Sequence, residues 1–338
     1  MSLRGAQRRN NLLNRIMLNN FRFGLFRFVL TAQQNAALST EEHVGALLRD
    51  RFGSALKHAV CPFLKQCRTG CILPRQCAYA RLFETTQEGV SAGDLRGKDV
   101  YRPFVLEPPL DGKTRFAPGE SLCFNLLLVG EGMDFLPYFA LAFVEMGRHG
   151  FGIGRARWHL ERVVSIAHST ADDGALVYDG ARERFMSDVP TKDFAAVAAE
   201  SQSLSSARIT LELLTPLRVE DKNELAHEIN TTVLTRALLR RISRLSHLWC
   251  GEELQLDYRG LLDRWGQTIT CEAEDLRWED WQRGSMRQRA RLKLGGLRGR
   301  LHLSGEMSDL RPFLKLGEYL HVGKQTVFGL GKYVICEA

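Results

Sequence analysis

The sequence predicts an α+β protein made of two copies of one strand–helix–strand unit, and three observations carry that expectation. The first is a glycine-rich loop written twice. Phe151-Gly-Ile-Gly-Arg155 and Phe328-Gly-Leu-Gly-Lys332 share one order: aromatic, glycine, aliphatic, glycine, cation. Gly152 and Gly329 stand 177 residues apart in a chain of 338. Self-similarity at half-length means a duplicated domain, because solenoid repeats are far shorter. The second is an echo between two helical patterns. Ala46-Leu-Leu-Arg49 is repeated as Ala237-Leu-Leu-Arg240, and each pattern ends in His-x-x-Cys, His58 to Cys61 and His247 to Cys250. The third is an alternating, strand-like stretch directly after each loop, Arg157 to Val163 and Tyr333 to Ile335. A strand–helix–strand order closing on a glycine loop fits a ferredoxin-like (RRM-like) βαββαβ domain used in tandem.

Taken in order, Phe21 to Leu30 is aromatic-rich and partly alternating and reads as the first strand. Ala36 to Leu38 reads as a turn. Ser39 or Thr40 then caps a helix with Glu41 and Glu42 in its first turn, where carboxylates suit the helix dipole. Val44, Leu47, Leu48, Phe52, Leu56 and Ala59 recur at helical spacing, with His43, Arg49, Arg51, Lys57 and His58 on the polar side. A cysteine-rich insertion occupies 61–77. Tyr101 to Leu106 and Ser121 to Val129 read as strands, and Phe135 to Met146 as a helix entering the first glycine loop. This completes an N-terminal domain over 1–165. Residues 166–203, rich in Ala, Ser and Asp, are expected to hold the linker. The C-terminal domain, 204–338, restarts with an alternating strand at Ala207 to Leu214 and a helical pattern from Leu225 to Trp249.

Composition narrows the class. Hydrophobic content of 44 % and charged content of 25 % are ordinary for a soluble globular protein. No apolar run reaches the length of a membrane helix, and the basic N-terminus lacks the apolar core of a signal peptide. The expectation is a cytoplasmic protein without a membrane partner. A net charge of +7 and a pI near 9.1 favour a polyanion.

Three features then compete for that polyanion. In the C-terminal loop, Gly323, Gly329 and Gly331 alternate with Lys324 and Lys332, so exposed N–H groups flanked by cations suit a phosphate backbone. It is not a Walker loop, since Gln325 follows Lys324 where Ser or Thr is required. The first copy offers Arg148, His149 and Arg155 in the same way. Between Asp280 and Glu306 lie Arg283, Arg287, Arg289, Arg291, Lys293, Arg298 and Arg300 without one acid. The alternation from Arg289 to Leu303 around Gly295-Gly296 reads as a basic β-hairpin able to track phosphates. Phe151 and Phe328 are read first as plugs beneath their loops and second as platforms for unpaired bases.

Of eight cysteines, Cys61, Cys67, Cys71 and Cys77 fall close together, with five, three and five residues between them. Tight pairs with two residues between the thiols are absent, but Pro62, Gly70 and Pro74 shape loops between the four. The expectation is a structural zinc knuckle, with buried free thiols as the alternative; four thiolates leave no open position for chemistry.

Four stretches together resemble the CRISPR-associated precursor-crRNA processing endoribonucleases of the RAMP superfamily, in a cysteine-bearing branch. They are Gly45-x-x-Leu-Arg49-x-x-Phe-Gly53-x-Ala-Leu-Lys57-x-x-x-Cys61, Cys77-x-Tyr79-x-x-Leu82-Phe83-Glu84, Lys293-Leu-Gly-Gly-Leu-Arg-Gly299, and the loop from Gly323 to Gly331. The resemblance implies cleavage of CRISPR repeat RNA without a catalytic metal. In such a reaction the 2′-hydroxyl attacks the adjacent phosphate and leaves a 2′,3′-cyclic phosphate and a 5′-hydroxyl. That chemistry needs a base, cations for the phosphorane and an acid. His43 is the first choice of base, since the family's base often lies in or beside the first helix, where Arg49 and Lys57 also sit. His58 is second and His321, which opens the C-terminal loop, is third. The alternatives are a non-catalytic RNA-binding subunit in contact with CRISPR effector proteins, and a zinc-dependent DNA-binding regulator using the basic helix Arg236 to Arg244.

Overall fold

The computed structural model describes residues 18–38, 44–61, 77–83, 101–171, 174–280, 282–285 and 290–336. They divide into two compact units. The N-terminal unit is Gly24–Thr191 with Gln282–Leu292, and the remainder forms the C-terminal unit.

In the N-terminal unit, β1 (Arg22–Ala32), α1 (Val44–Val60), β2 (Phe104–Glu107), β3 (Ser121–Val129), α2 (Leu136–His149) and β4 (Trp158–Ile166) follow the expected βαββαβ order. The sheet runs β2-β3-β1-β4 and is extended by β5 (Gly174–Asp179) and β6 (Arg184–Phe185). The helix forms where the apolar spacing placed it, and Leu48, Phe52 and Leu56, one turn apart, are fully buried. Phe52 stacks on Phe139 of α2 at 4.3 Å, and Phe124 of β3 meets Phe143 at 4.7 Å. This ring cluster binds both helices to the sheet, each contact adding about 0.5–1.5 kcal/mol beyond its area.

The C-terminal unit repeats the plan after α3 (Phe194–Glu200). It consists of β7 (Arg208–Leu217), α4 (Thr231–Cys250), α5 (Tyr258–Thr268), β8 (Ile269–Glu279), β9 (Gly296–Gly305), α6 (Arg311–Leu320) and β10 (Tyr333–Cys336). Its sheet order, β8-β9-β7-β10, matches that of the first unit, and all three pairs are antiparallel. Asn230 caps α4 by accepting from the Val233 amide at 2.9 Å, and Gly251 ends it in the left-handed region. The chain is thus an α+β protein of two tandem ferredoxin-like units.

Two expectations need correction. The stretch expected as linker, 166–203, holds β5, β6 and α3, and the unit boundary falls after Thr191. Helix α3 is tied to α6 within the C-terminal unit: Tyr319 donates to Glu200 at 2.8 Å and Lys192 to the same carboxylate at 2.5 Å. Burial, then the Glu200 carboxylate, pushes the Tyr319 hydroxyl well above its ordinary pKa, so it remains a donor. The basic stretch from Arg289 to Leu303 is not a hairpin folded about Gly295-Gly296. Ala290–Lys293 pairs in a two-stranded sheet of its own, whereas β9 lies between β7 and β8 in the main sheet. Leu297, Leu301 and Leu303 are buried there, which favours the long central pairing.

The glycine loops are shaped by close backbone approach. Gly331 sits at φ +71°, and a Cβ on it would stand 1.8 Å from the Val322 carbonyl oxygen. Gly331→Ala is therefore expected to destabilise the protein by at least about 1–2 kcal/mol, the cost of the left-handed conformation alone. Urea unfolding checks this, and an unchanged midpoint would contradict the role given to the loop.

Candidate nucleic-acid interface

The C-terminal glycine loop turns inward. Gly329, Leu330, Gly331 and Lys332 are all buried, and Phe328 is a buried plug. Thr215 donates its hydroxyl to the Gly329 carbonyl and accepts from the Lys332 amide, both at 2.8 Å. The Lys332 carbonyl accepts from the Leu214 amide at 2.9 Å. His321 is fully buried, with Nδ1 3.1 Å from the Leu330 carbonyl oxygen. Its role is to close this loop, and its ring is not open to a ribose, which corrects its place among the candidate bases. Only Gly323, Lys324, Gln325 and Val327 are half-buried at the rim, and Lys324 is ion-paired with Glu220. The N–H groups expected to face phosphate are occupied in holding the unit together.

The first loop does the opposite. Gly150, Gly152 and Gly154 all take positive φ, near +75°, +81° and +73°. The Ile153 amide donates to the Ala37 carbonyl at 2.7 Å, which lifts the tip. Phe151 is the expected plug, buried and stacked on Trp158 at 5.1 Å. Arg155 leaves the loop exposed at φ +53°, a conformation costing a non-glycine residue about 1–2 kcal/mol. Such stored strain concentrates at functional sites.

This loop walls an open pocket of about 520 Å³ with the ends of both helices of the unit. Arg51, Ser54, Ala55 and His58 come from α1, Glu145, Met146 and His149 from α2, and Gly150 and Arg155 from the loop. Arg51 and His58 share a face because seven residues are two helical turns. His58 makes no hydrogen bond or ion pair among the described residues, and neither Arg51 nor Arg155 has a carboxylate partner there. His149 is 78 % exposed, with Nδ1 2.9 Å from the Glu145 carbonyl oxygen. Two imidazoles and two guanidiniums, with the Glu145 carboxylate among them, line one cavity, a set of groups whose chemistry suits a phosphate and the movement of protons.

The remaining expected residues lie elsewhere. Arg49 stands over the Phe83 ring at 4.9 Å and pairs with Asp50, while Lys57 covers the Tyr79 ring at 5.6 Å. Both staple the short helix Ala78–Phe83 to α1, away from the pocket. Arg148 pairs with Glu145 at 2.9 Å and Glu183 at 3.0 Å. Arg298 pairs with Glu279 at 3.2 Å and Arg300 with Glu274 at 3.4 Å. Hydrogen bonds from His302 and Arg300 hold the Glu274 carboxyl below its ordinary pKa. The acids missing from the arginine run are thus supplied by β8 across the sheet, where Glu274 faces Arg300 directly. Arg291 and Lys293 lie in Ala290–Lys293. His43, Arg287, Arg289, Cys67 and Cys71 fall outside the described residues. Cys61 and Cys77 are half-buried free thiols, and no metal-holding cluster of three or more side chains occurs among the described residues.

Arg51 and Glu145 are what sequence reasoning missed as site residues. The spacing Arg51, Ser54, Ala55, His58 was the available signal, a polar and small helical face that no core would use.

Comparison with known proteins agrees with this architecture. A family model described as an N-terminal domain matches residues 21–190. The model described as CRISPR-associated endoribonuclease Cas6 matches residues 211–333. An uncharacterized protein of Archaeoglobus fulgidus is 26 % identical over 299 residues, covering 86 % of this chain and 91 % of its own length. Thermus thermophilus Cas6 superposes with a TM-score of 0.55 at 13 % identity, over 94 % of this chain and 99 % of that one. A Cas6 product complex gives 0.57 at 14 % identity, over 93 % and 100 %. Residues 211–333 of this chain thus match the model of the Cas6 endoribonucleases, and the chain as a whole shares the fold of the solved Cas6 structures. Among the described residues no helix is long and apolar enough to cross a membrane.

Proposed function

We propose that this protein binds CRISPR repeat RNA and cuts it in the α1–α2 pocket by 2′-hydroxyl attack, without a catalytic metal. The observation that carries the reading is the meeting of His58, His149, Arg51 and Arg155 at one open cavity. The arginines suit the scissile phosphate and the charge that grows on it in the phosphorane. His58 takes the 2′-hydroxyl proton, and the 2′-oxygen bonds to phosphorus as the bond to the 5′-oxygen breaks. The products are a 2′,3′-cyclic phosphate and a 5′-hydroxyl. Precursor RNA is the substrate, which puts the proposed activity in the cytoplasm.

The test is cleavage of labelled repeat RNA in EDTA, beside RNA with single 2′-deoxy substitutions. One cut is expected, abolished by one deoxy substitution. His58→Ala should slow it by about 10²–10⁴-fold with binding retained. Loss of the cut in His43→Ala but not in His58→Ala would move the base to the start of α1. Binding with no cut would sink the enzyme reading in favour of a non-catalytic RNA-binding subunit.

We further propose that Cys61, Cys67, Cys71 and Cys77 hold one structural zinc. Cys61 directly follows α1, and Cys77 directly precedes the helix Ala78–Phe83, whose Phe83 ring meets Phe52 of α1 at 5.5 Å. Both ends of the segment are therefore tethered to α1, the geometry a closing metal would reinforce. Elemental analysis should find one zinc per chain, reduced in Cys61→Ser and Cys77→Ser. A metal-free protein in which all four thiols react would contradict it.

A further inference from the structure

We infer that His149 is the general acid of the cleavage step, giving its proton to the departing 5′-oxygen. The inference rests on the pocket reading above. The reaction moves two protons: one leaves the 2′-hydroxyl for a base as the 2′-oxygen–phosphorus bond forms, and one reaches the 5′-oxygen as its bond to phosphorus breaks. In an in-line displacement the attacking and departing oxygens lie on opposite sides of phosphorus. Two proton carriers from different elements are needed, and the pocket has them: His58 from α1 and His149 from α2.

Hydrogen bonding sorts the roles. Nδ1 of His149 is 2.9 Å from the Glu145 carbonyl oxygen, one helical turn earlier. A carbonyl only accepts, so Nδ1 carries a hydrogen and Nε2 is the nitrogen left for substrate. In the charged ring Nε2–H is the one N–H free to be given, and giving it leaves the Nδ1 bond intact. Glu145 Oε2 also lies 3.8 Å from Nδ1, on the side of the ring turned away from Nε2. His58 has no such anchor among the described residues, so neither ring nitrogen is committed to a carbonyl and either can accept a proton. At 78 % exposure the His149 ring is open to a bound RNA.

The experiment uses repeat RNA whose scissile 5′-oxygen is replaced by sulfur. A thiolate leaves without being protonated, so an enzyme lacking its acid recovers on this substrate. His149→Ala should cut the ordinary RNA about 10²–10³-fold slower than wild type, yet cut the sulfur RNA within about tenfold of wild type. His58→Ala should be slow on both. His149→Asn, which keeps a donor for the Glu145 carbonyl, should behave as His149→Ala; this separates acid chemistry from support of the helix end. Equal impairment of the His149 variants on oxygen and sulfur RNAs, or none on either, would overturn the assignment. Wild type cutting neither RNA would overturn the pocket reading and this inference with it, and only that outcome shows in the wild-type arm.

Discussion

The structure depends on backbone-to-backbone contact at the glycine loops. In the C-terminal unit the strand entering β10 passes so close to Val322 that only a residue without a side chain fits at Gly331. In the N-terminal unit the same demand falls on Gly150, where a Cβ would stand 2.2 Å from the Arg155 carbonyl oxygen. Each loop carries the chain from the second helix of a ferredoxin-like unit into its last strand. That strand then pairs with the first and closes the sheet. The close approaches fall at different positions of the two loops, since Gly154, the counterpart of Gly331 in the repeated motif, has open space where a Cβ would stand.

From that shared constraint the two copies diverge. The cation after the last glycine is exposed in one unit, as Arg155, and buried in the other, as Lys332 at 8 %. The histidine preceding each loop diverges likewise: His149 projects from the end of α2, and His321 is sealed against Leu330. Burial removes a group from chemistry however well its spacing suits it. The N-terminal copy keeps its polar groups at a cavity, beside the last turns of α1.

The tandem α+β plan was legible because apolar periodicity dominates β1, α1, α2, β7 and α4. What escaped was structure without that signal. β8 is largely exposed and is held by pairing with β9, so no alternation marks it. The stretch from β5 to α3 is small and polar in sequence, and its order comes from partners far along the chain, such as Tyr319 on Glu200. The site was half legible. His58, His149 and Arg155 stood out as residues, but their convergence depends on where two helices end. The arginine run misled for a related reason, since its counter-charges, Glu274 and Glu279, sit on a neighbouring strand.

The claim at the centre is that the scissile phosphate binds in the α1–α2 pocket rather than at the C-terminal glycine loop. Zero-length photocrosslinking tests it most directly, using repeat RNA blocked by a 2′-deoxy group at the cut and carrying a thiouridine beside it. Crosslinked peptides should come from residues 51–59 and 145–155. Crosslinks confined to residues 321–332 would contradict the account and return the site to the loop that the structure shows closed.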